Sequence, residues 1–162
     1  MCGFLFEYSK SVLTDKDIFV SGLNALSHRG PDGSGTYISN DKKIGFGHTR
    51  LSILDLSNNS DQPMSYDSER YYITYNGEIY NFKEIKRNYL GNEKFETNSD
   101  TEVILKLYNR FKENIHKYLN GIFSFVIYDY KRNKLFLIRD RFGVKPLIYY
   151  EDKELFICST EI

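Results

Sequence analysis

Residues 125–140 read FVIYDYKRNKLFLIRD, two apolar runs separated by the polar residues Lys131 to Asn133. Runs of β-branched and aromatic residues on either side of a short polar turn specify a β-hairpin. The signature recurs at residues 35–47, GTYISNDKKIGFG, turning at Asn40-Asp41, and at residues 147–157, LIYYEDKELFI, turning at Glu151 to Lys153. Tight hairpins pair antiparallel, since parallel neighbours need a long crossover. Outward from these turns, strands are expected at 3–8, 35–39, 43–53, 71–76, 122–129, 134–139, 147–150 and 155–158.

Two helices follow from apolar spacing. Ile18, Phe19, Gly22, Leu23 and Leu26 line one stripe, and Val103, Ile104, Leu107, Tyr108 and Phe111 line another. Their starts carry capping pairs, Thr14 with Asp17 and Ser99 with Glu102, and a third helix from Phe82 to Leu90 has Asn81 with Glu84 before it and Gly91 after it. Strands and helices do not alternate as βαβ units. The expectation is an α+β fold, two antiparallel sheets covered by helices. No repeat, low-complexity stretch or linker interrupts the chain.

With 162 residues the chain has room for one domain with a real core. Lys+Arg and Asp+Glu both number 22, so no broad basic field invites nucleic acid or anionic lipid. Cys2 and Cys158 stand at opposite ends without CxxC or Cys/His clustering, which argues against a metal site and a disulfide scaffold. The sequence has neither a positive-then-apolar leader nor an apolar run long enough to span a bilayer, so a cytoplasmic protein is expected.

The chain opens MCGFLF, with a thiol at position 2. If Met1 is removed, Cys2 carries a thiol and a free α-amine whose ordinary pKa is about 7.7–8.0, so the nucleophile brings its own base. The competing reading is a small buried hydrophobe. Four further stretches are dense in polar residues and glycine: SHRGPDGSG (27–35), GHTRLSI (47–53), YNGEIYN (75–81) and TNSDTE (97–102). Gly30-Pro31-Asp32-Gly33 reads as a β-turn. Arg50 on a strand calls for an anion, either a ligand carboxylate or a structural acid. Asn76-Gly77 reads as a turn, yet the Asn76 amide and the Gly77 N–H are also donors of the kind that hold an oxyanion. Glu78 and Asp100 sit at helix starts, where capping and dipole effects are the plain account. Taken together, a self-activated thiol, two oxyanion donors, an arginine and two acids are the fittings for a free α-amino acid attacked at a side-chain acyl group, as in glutamine.

At this point the motifs HRGPDGSG, GHTRLSI, QPM, YNGEIYNFKE, SDTEVIL, LNGIFSFVIYD and RDRFGVKPLIYY, in order from Cys2 to Ile162, carry a family likeness. The chain resembles the class II glutamine amidotransferases, the N-terminal-nucleophile glutaminases, and within them the glutaminase half of the glutamine-hydrolysing asparagine synthetases. The resemblance implies a four-layer αββα sandwich, the Ntn-hydrolase fold, over residues 1–162. It implies Cys2 as nucleophile with its own amine as base, a γ-glutamyl thioester, and an oxyanion hole from Asn76 and Gly77. Arg50 would grip the substrate α-carboxylate, Glu78 and Asp100 its α-ammonium, and backbone around Leu51 and Ile53 would help seat it. Gly3 would leave room for glutamine beside the nucleophile. His28 and His48 would support the framework, and His116 and Cys158 would have no chemical role.

The same resemblance implies L-glutamine as partner, no cofactor and no metal for this domain, and neither nucleic acid nor membrane. It also implies a C-terminal synthetase domain using ATP and Mg, whose Ser-Gly-Gly-x-Asp-Ser loop does not occur here. Arg29 and the RDRFGVKP segment would face that domain or form a salt-bridged loop, and a homodimer is compatible with the family. Ammonia would go to an activated aspartate; relatives with other acceptors, a silent regulatory domain, and an N-terminal-cysteine hydrolase of a larger amide are the alternatives. Phe4, the NNSDQPM approach and the CSTEI end depart from the family pattern without touching a proposed catalytic group.

Overall fold

The computed structural model describes residues 1–11, 15–52 and 58–162. In chain order the elements are β1 (Gly3–Ser9), α1 (Lys16–Asn24), β2 (Gly33–Ile38), β3 (Ile44–Arg50), β4 (Met64–Tyr66), β5 (Tyr71–Ile79), α2 (Phe82–Tyr89), α3 (Asp100–Phe111), β6 (Gly121–Asp129), β7 (Lys134–Arg139), β8 (Ile148–Glu151) and β9 (Leu155–Ser159), with short 3₁₀ turns between some of them. One sheet has the order β2-β3-β1-β9-β8 and the other β4-β5-β6-β7. All named pairs are antiparallel. The three hairpins fold where the turns predict: Ile38 pairs with Gly45, Asp129 with Lys134 and Glu151 with Phe156.

Side-chain alternation then builds four layers. Phe4, Phe6 and Phe46 of the first sheet meet Tyr72, Val126 and Tyr128 of the second in a buried core between the sheets. On the outer face of the second sheet, Tyr71, Ile73, Tyr75, Phe125 and Ile127 pack against Val103, Ile104, Leu107 and Tyr108 of α3 and Ile85 of α2. On the outer face of the first, Phe19 and Leu23 of α1 lie against Gly45 and Gly47 of β3. This is the expected αββα arrangement. No helix among the described residues is long and apolar enough to cross a membrane.

Local expectations fail in instructive places. The 43–53 strand ends at Arg50, β4 has only three residues and leaves no readable period, and Ile18 is exposed rather than part of the α1 stripe. Asn76-Gly77 is no turn: β5 runs through it to Ile79, with Asn76 opposite Ser124 and Gly77 opposite Phe123. A Cβ on Gly77 would lie 2.3 Å from Ile122 O and 2.6 Å from Phe123 Cα, so this glycine permits two backbones to approach rather than a reversal. Gly30–Gly33 leads from a 3₁₀ turn at Ser27–Arg29 into a bridge between Pro31 and Arg50.

The caps differ too. α1 is capped by Asp15, which accepts from Asp17 N; Thr14 lies outside the described residues. Ser99 does cap α3, accepting from Thr101 N, but Glu102 turns instead to Glu96 N, Thr97 N and the Thr97 hydroxyl. Asn81 makes no cap bond; its amide donates to Tyr118 O and accepts from Asn120 N, tying α2 to the start of β6.

Candidate active site

The N-terminus of β1, the C-terminus of β3 and the second half of β5 converge on one cleft of about 120 Å³, closed on one side by the start of α3. This is small beside the roughly 300–1,000 Å³ of drug-sized pockets and suits a compact metabolite. Cys2, Arg50, Leu51, Asn76, Gly77, Glu78 and Asp100 all line it; Ile53 lies outside the described residues. Four sequence-distant segments that carry predicted site residues are thus gathered by the stacking of the two sheets.

Pairing of β1 with β3 fixes the nucleophile, because Gly3 lies opposite Thr49 and places Cys2 beside Leu51. Leu51 N donates to Cys2 Sγ at 3.3 Å, and Leu51 O lies 3.6 Å from the same sulfur. These two contacts fix the direction in which the Cys2 side chain points. Both backbone polar groups of Leu51 thus face the Cys2 sulfur. The chain around Cys2 is held by Arg29, whose Nε donates to Cys2 O at 3.0 Å and whose Nη1 pairs with Glu161. Gly3 does not leave room for a ligand: a Cβ there would meet Thr49 Oγ1 at 2.7 Å and Leu26 Cβ at 3.0 Å. Its space is taken by protein.

The parity of the β5 ladder supplies the donors. Beyond Ile73, the edge of β5 away from β6 has no strand partner among the described residues, and its N–H groups at Tyr75 and Ile79 are taken by Gln62 Oε1 at 2.7 Å and Asp100 Oδ2 at 2.9 Å. Alternation turns Gly77 N–H to that same edge, between the two and toward the cleft. Asn76 is 2% exposed, and its Nδ2 is a buried donor without a partner among the described residues. Such an orphan costs free energy unless a ligand completes it.

Arg50 pairs with Asp61 through Nη1 at 2.5 Å while lining the cleft. Asp100 is buried; its Oδ2 also accepts from Tyr75 OH at 2.7 Å. Burial pushes the Asp100 carboxyl up, against the pull of the Ile79 and Tyr75 hydrogen bonds. His48 is buried and donates from Nε2 to Tyr75 O at 3.1 Å; burial pushes it down to about 4, so it is a neutral framework imidazole, as expected. His28 bonds Ala25 O and Glu161 on the surface, and His116 bonds Glu113 O. Among the described residues no three of His, Cys, Asp and Glu gather as a metal-binding group.

Three cleft residues were not singled out by sequence reasoning. Gln62 links Tyr75 N to the Thr101 hydroxyl and so holds β5 against α3. Tyr75 is the hydroxyl on Asp100, and Lys145 enters from the loop after β7. Gln62 falls within QPM, a motif without an assigned task, and Lys145 within RDRFGVKP, which was expected to face a partner domain or form a salt-bridged loop rather than to line the cleft.

Comparison with known proteins bears on the family and the fold. A sequence profile described as "glutamine amidotransferase domain" matches residues 1–162. Two proteins named as glutamine-hydrolysing asparagine synthetases are similar: one of Methanocaldococcus jannaschii, 42% identical across 100% of this chain and 34% of its own length, and one of Bacillus subtilis, 41% identical across 92% of this chain and 24% of its own. The chain thus spans about a third or less of these relatives. Glutamine phosphoribosylpyrophosphate amidotransferase of B. subtilis shares the fold, with a TM-score of 0.83 at 20% identity over 99% of this chain and 42% of that one. Matched over its whole length, the chain belongs to the family of glutamine amidotransferase domains.

Proposed function

We propose that residues 1–162 form a glutaminase domain that hydrolyses L-glutamine to glutamate and ammonia through a thioester on Cys2. The observation that carries this reading is the cleft in which the Cys2 thiol, a buried orphan donor on Asn76, the Gly77 N–H, Arg50 and two acids meet. Removal of Met1, which also lines the cleft, frees the Cys2 α-amine. The amine takes the thiol proton; sulfur attacks the side-chain amide carbon, and the oxyanion is held by Asn76 Nδ2 and Gly77 N–H. Collapse breaks the C–N bond, the α-ammonium returns the proton to the departing ammonia, and water then cleaves the thioester. Arg50 holds the α-carboxylate and Glu78 with Asp100 the α-ammonium. In a longer protein like the relatives, a further domain using ATP and Mg would pass the ammonia to an acceptor, aspartate being the first candidate.

The test is glutamate release by the chain beginning at Cys2. Wild type turns over and Cys2→Ala does not; equal rates would refute the mechanism. The Arg50–Asp61 pair favours a second reading, an N-terminal-cysteine hydrolase of a larger amide with Arg50 structural. An analogue of glutamine lacking the α-carboxylate separates them: the first reading requires a large loss in kcat/KM, the second little change.

A further inference from the structure

Lys145 is the one cleft cation, among the described residues, to which the glutamine chemistry gives no task. Its backbone is fixed on both sides, N donating to Asp140 Oδ2 at 2.9 Å and O accepting from Arg139 Nε at 2.7 Å. Its side chain is buried, at 8% exposure, and Nζ meets the thioether sulfur of Met1 at 2.8 Å. No carboxylate among the described residues lies within ion-pair distance of it. A thioether is a weak acceptor, and a buried ammonium without an anion is an expensive arrangement. Among the described residues, then, no acid meets this side chain where it stands against the amino terminus.

Its reach can be bounded. Met1 Sδ is five bonds of about 1.5 Å from Cys2 N, a span of at most roughly 6.5 Å, so Nζ lies within about 9 Å of that nitrogen. Other cations facing the terminus are offset. From the turn before β2, Arg29 holds Cys2 O but is paired with Glu161; from β3, Arg50 is paired with Asp61 and His48 is neutral. Glu78 of β5 and Asp100 of α3, with Tyr75 bonded to it, are the acids assigned to the substrate's own ammonium. Lys145 is the cleft cation left without an acid among the described residues; Glu78 and Asp100 act on the amine in the opposite sense and are unchanged between wild type and the Lys145 variants.

We propose that Lys145 is a positioning residue that, by like-charge repulsion, holds the α-amine of the processed chain in its neutral, proton-accepting form. This rests on the glutaminase reading for its purpose but not for its measurement. Over about 9 Å at an effective dielectric near 20–40, a unit charge moves the neighbour's titration by about one pH unit. Removing the charge makes the terminal ammonium harder to deprotonate, so Lys145→Gln and Lys145→Met, which keep the stem, move its midpoint upward.

Two measurements on the chain beginning at position 2 test this. The first is the pH dependence of α-amine labelling by phenyl isothiocyanate in a Cys2→Ser background, followed by intact mass. The second is the acid limb of kcat/KM for glutamine with Cys2 present. Both midpoints rise by about one unit in Lys145→Gln and Lys145→Met, a roughly tenfold loss on the acid side, and Lys145→Arg restores them. An unmoved labelling midpoint overturns the proposal, even if kcat falls, because a structural role would slow turnover without shifting the titration. A moved labelling midpoint in a chain without Cys2-dependent turnover upholds Lys145 and refutes the glutaminase reading; the converse result does the reverse.

Discussion

Truncating Asn76 to alanine separates catalysis from stability. Asn76 is 2% exposed and its Nδ2 has no acceptor among the described residues, so the folded protein already bears the desolvation of an unpaired amide, about 1–3 kcal/mol. Removing the group relieves that cost while giving up some packing against the cleft wall. The two offset, and stability should change by no more than about 1 kcal/mol, a Tm shift of roughly 2–4 °C for a chain of this size. The reaction loses a donor aimed at the developing oxyanion, about 2.7–4 kcal/mol, which is 100- to 1,000-fold in kcat. The assay is glutamate release beside urea and thermal unfolding of the same preparations. A loss under tenfold, or one accompanied by a collapse in stability, would refute the assignment of Asn76 as an oxyanion donor.

Gly77→Ala should behave oppositely, since its Cβ would press within 2.3 Å of Ile122 O; a stability loss of about 1–3 kcal/mol is expected in urea unfolding, with activity falling as β5 and β6 separate. In native protein iodoacetamide should label Cys2 and spare Cys158, whose thiol burial pushes well above its ordinary value; mass analysis showing equal labelling would contradict the packing described. Asp140 feels burial pushing its carboxyl up, but backbone N–H bonds from Lys145, Val144, Phe123 and Phe142 outweigh it and hold it below the ordinary range. A depressed folded value means that its contribution is complete above the unfolded pKa of about 3.9 and fades as pH falls through the folded one. The stability gap between wild type and Asp140→Asn should therefore be widest at neutral pH and shrink under acid, as thermal unfolding across pH 2–7 would reveal.

Much of the fold was legible because it is written in short-range patterns. The hairpin at 125–140 announces itself through alternation and a polar turn, and Asp129 and Lys134 close it where expected. The failures share a cause: a distant segment outcompetes a local preference. Asn76-Gly77 has turn chemistry, but nine residues of β5 pair with β6 and carry it through. Asn81 has capping chemistry, but the chain at Tyr118 and Asn120 claims its amide. β4 follows Pro63 and is too short to register as a period.

The same division runs through the site. Sequence alone determined the inventory, a thiol at position 2, an arginine on a strand, two uncharged N–H donors and two acids, since residue type fixes what a group can donate, accept or attack. Tertiary structure decided the partners. It gave Leu51 N to the Cys2 sulfur across 49 positions, filled the space beside Gly3 with Thr49 and Leu26, set Asp61 on Arg50, and brought Lys145 against Met1 across 144. Turns and periodicity arise from forces between neighbours along the chain. Those partnerships arise only when two sheets stack and each buried polar group must take what the opposing layer presents.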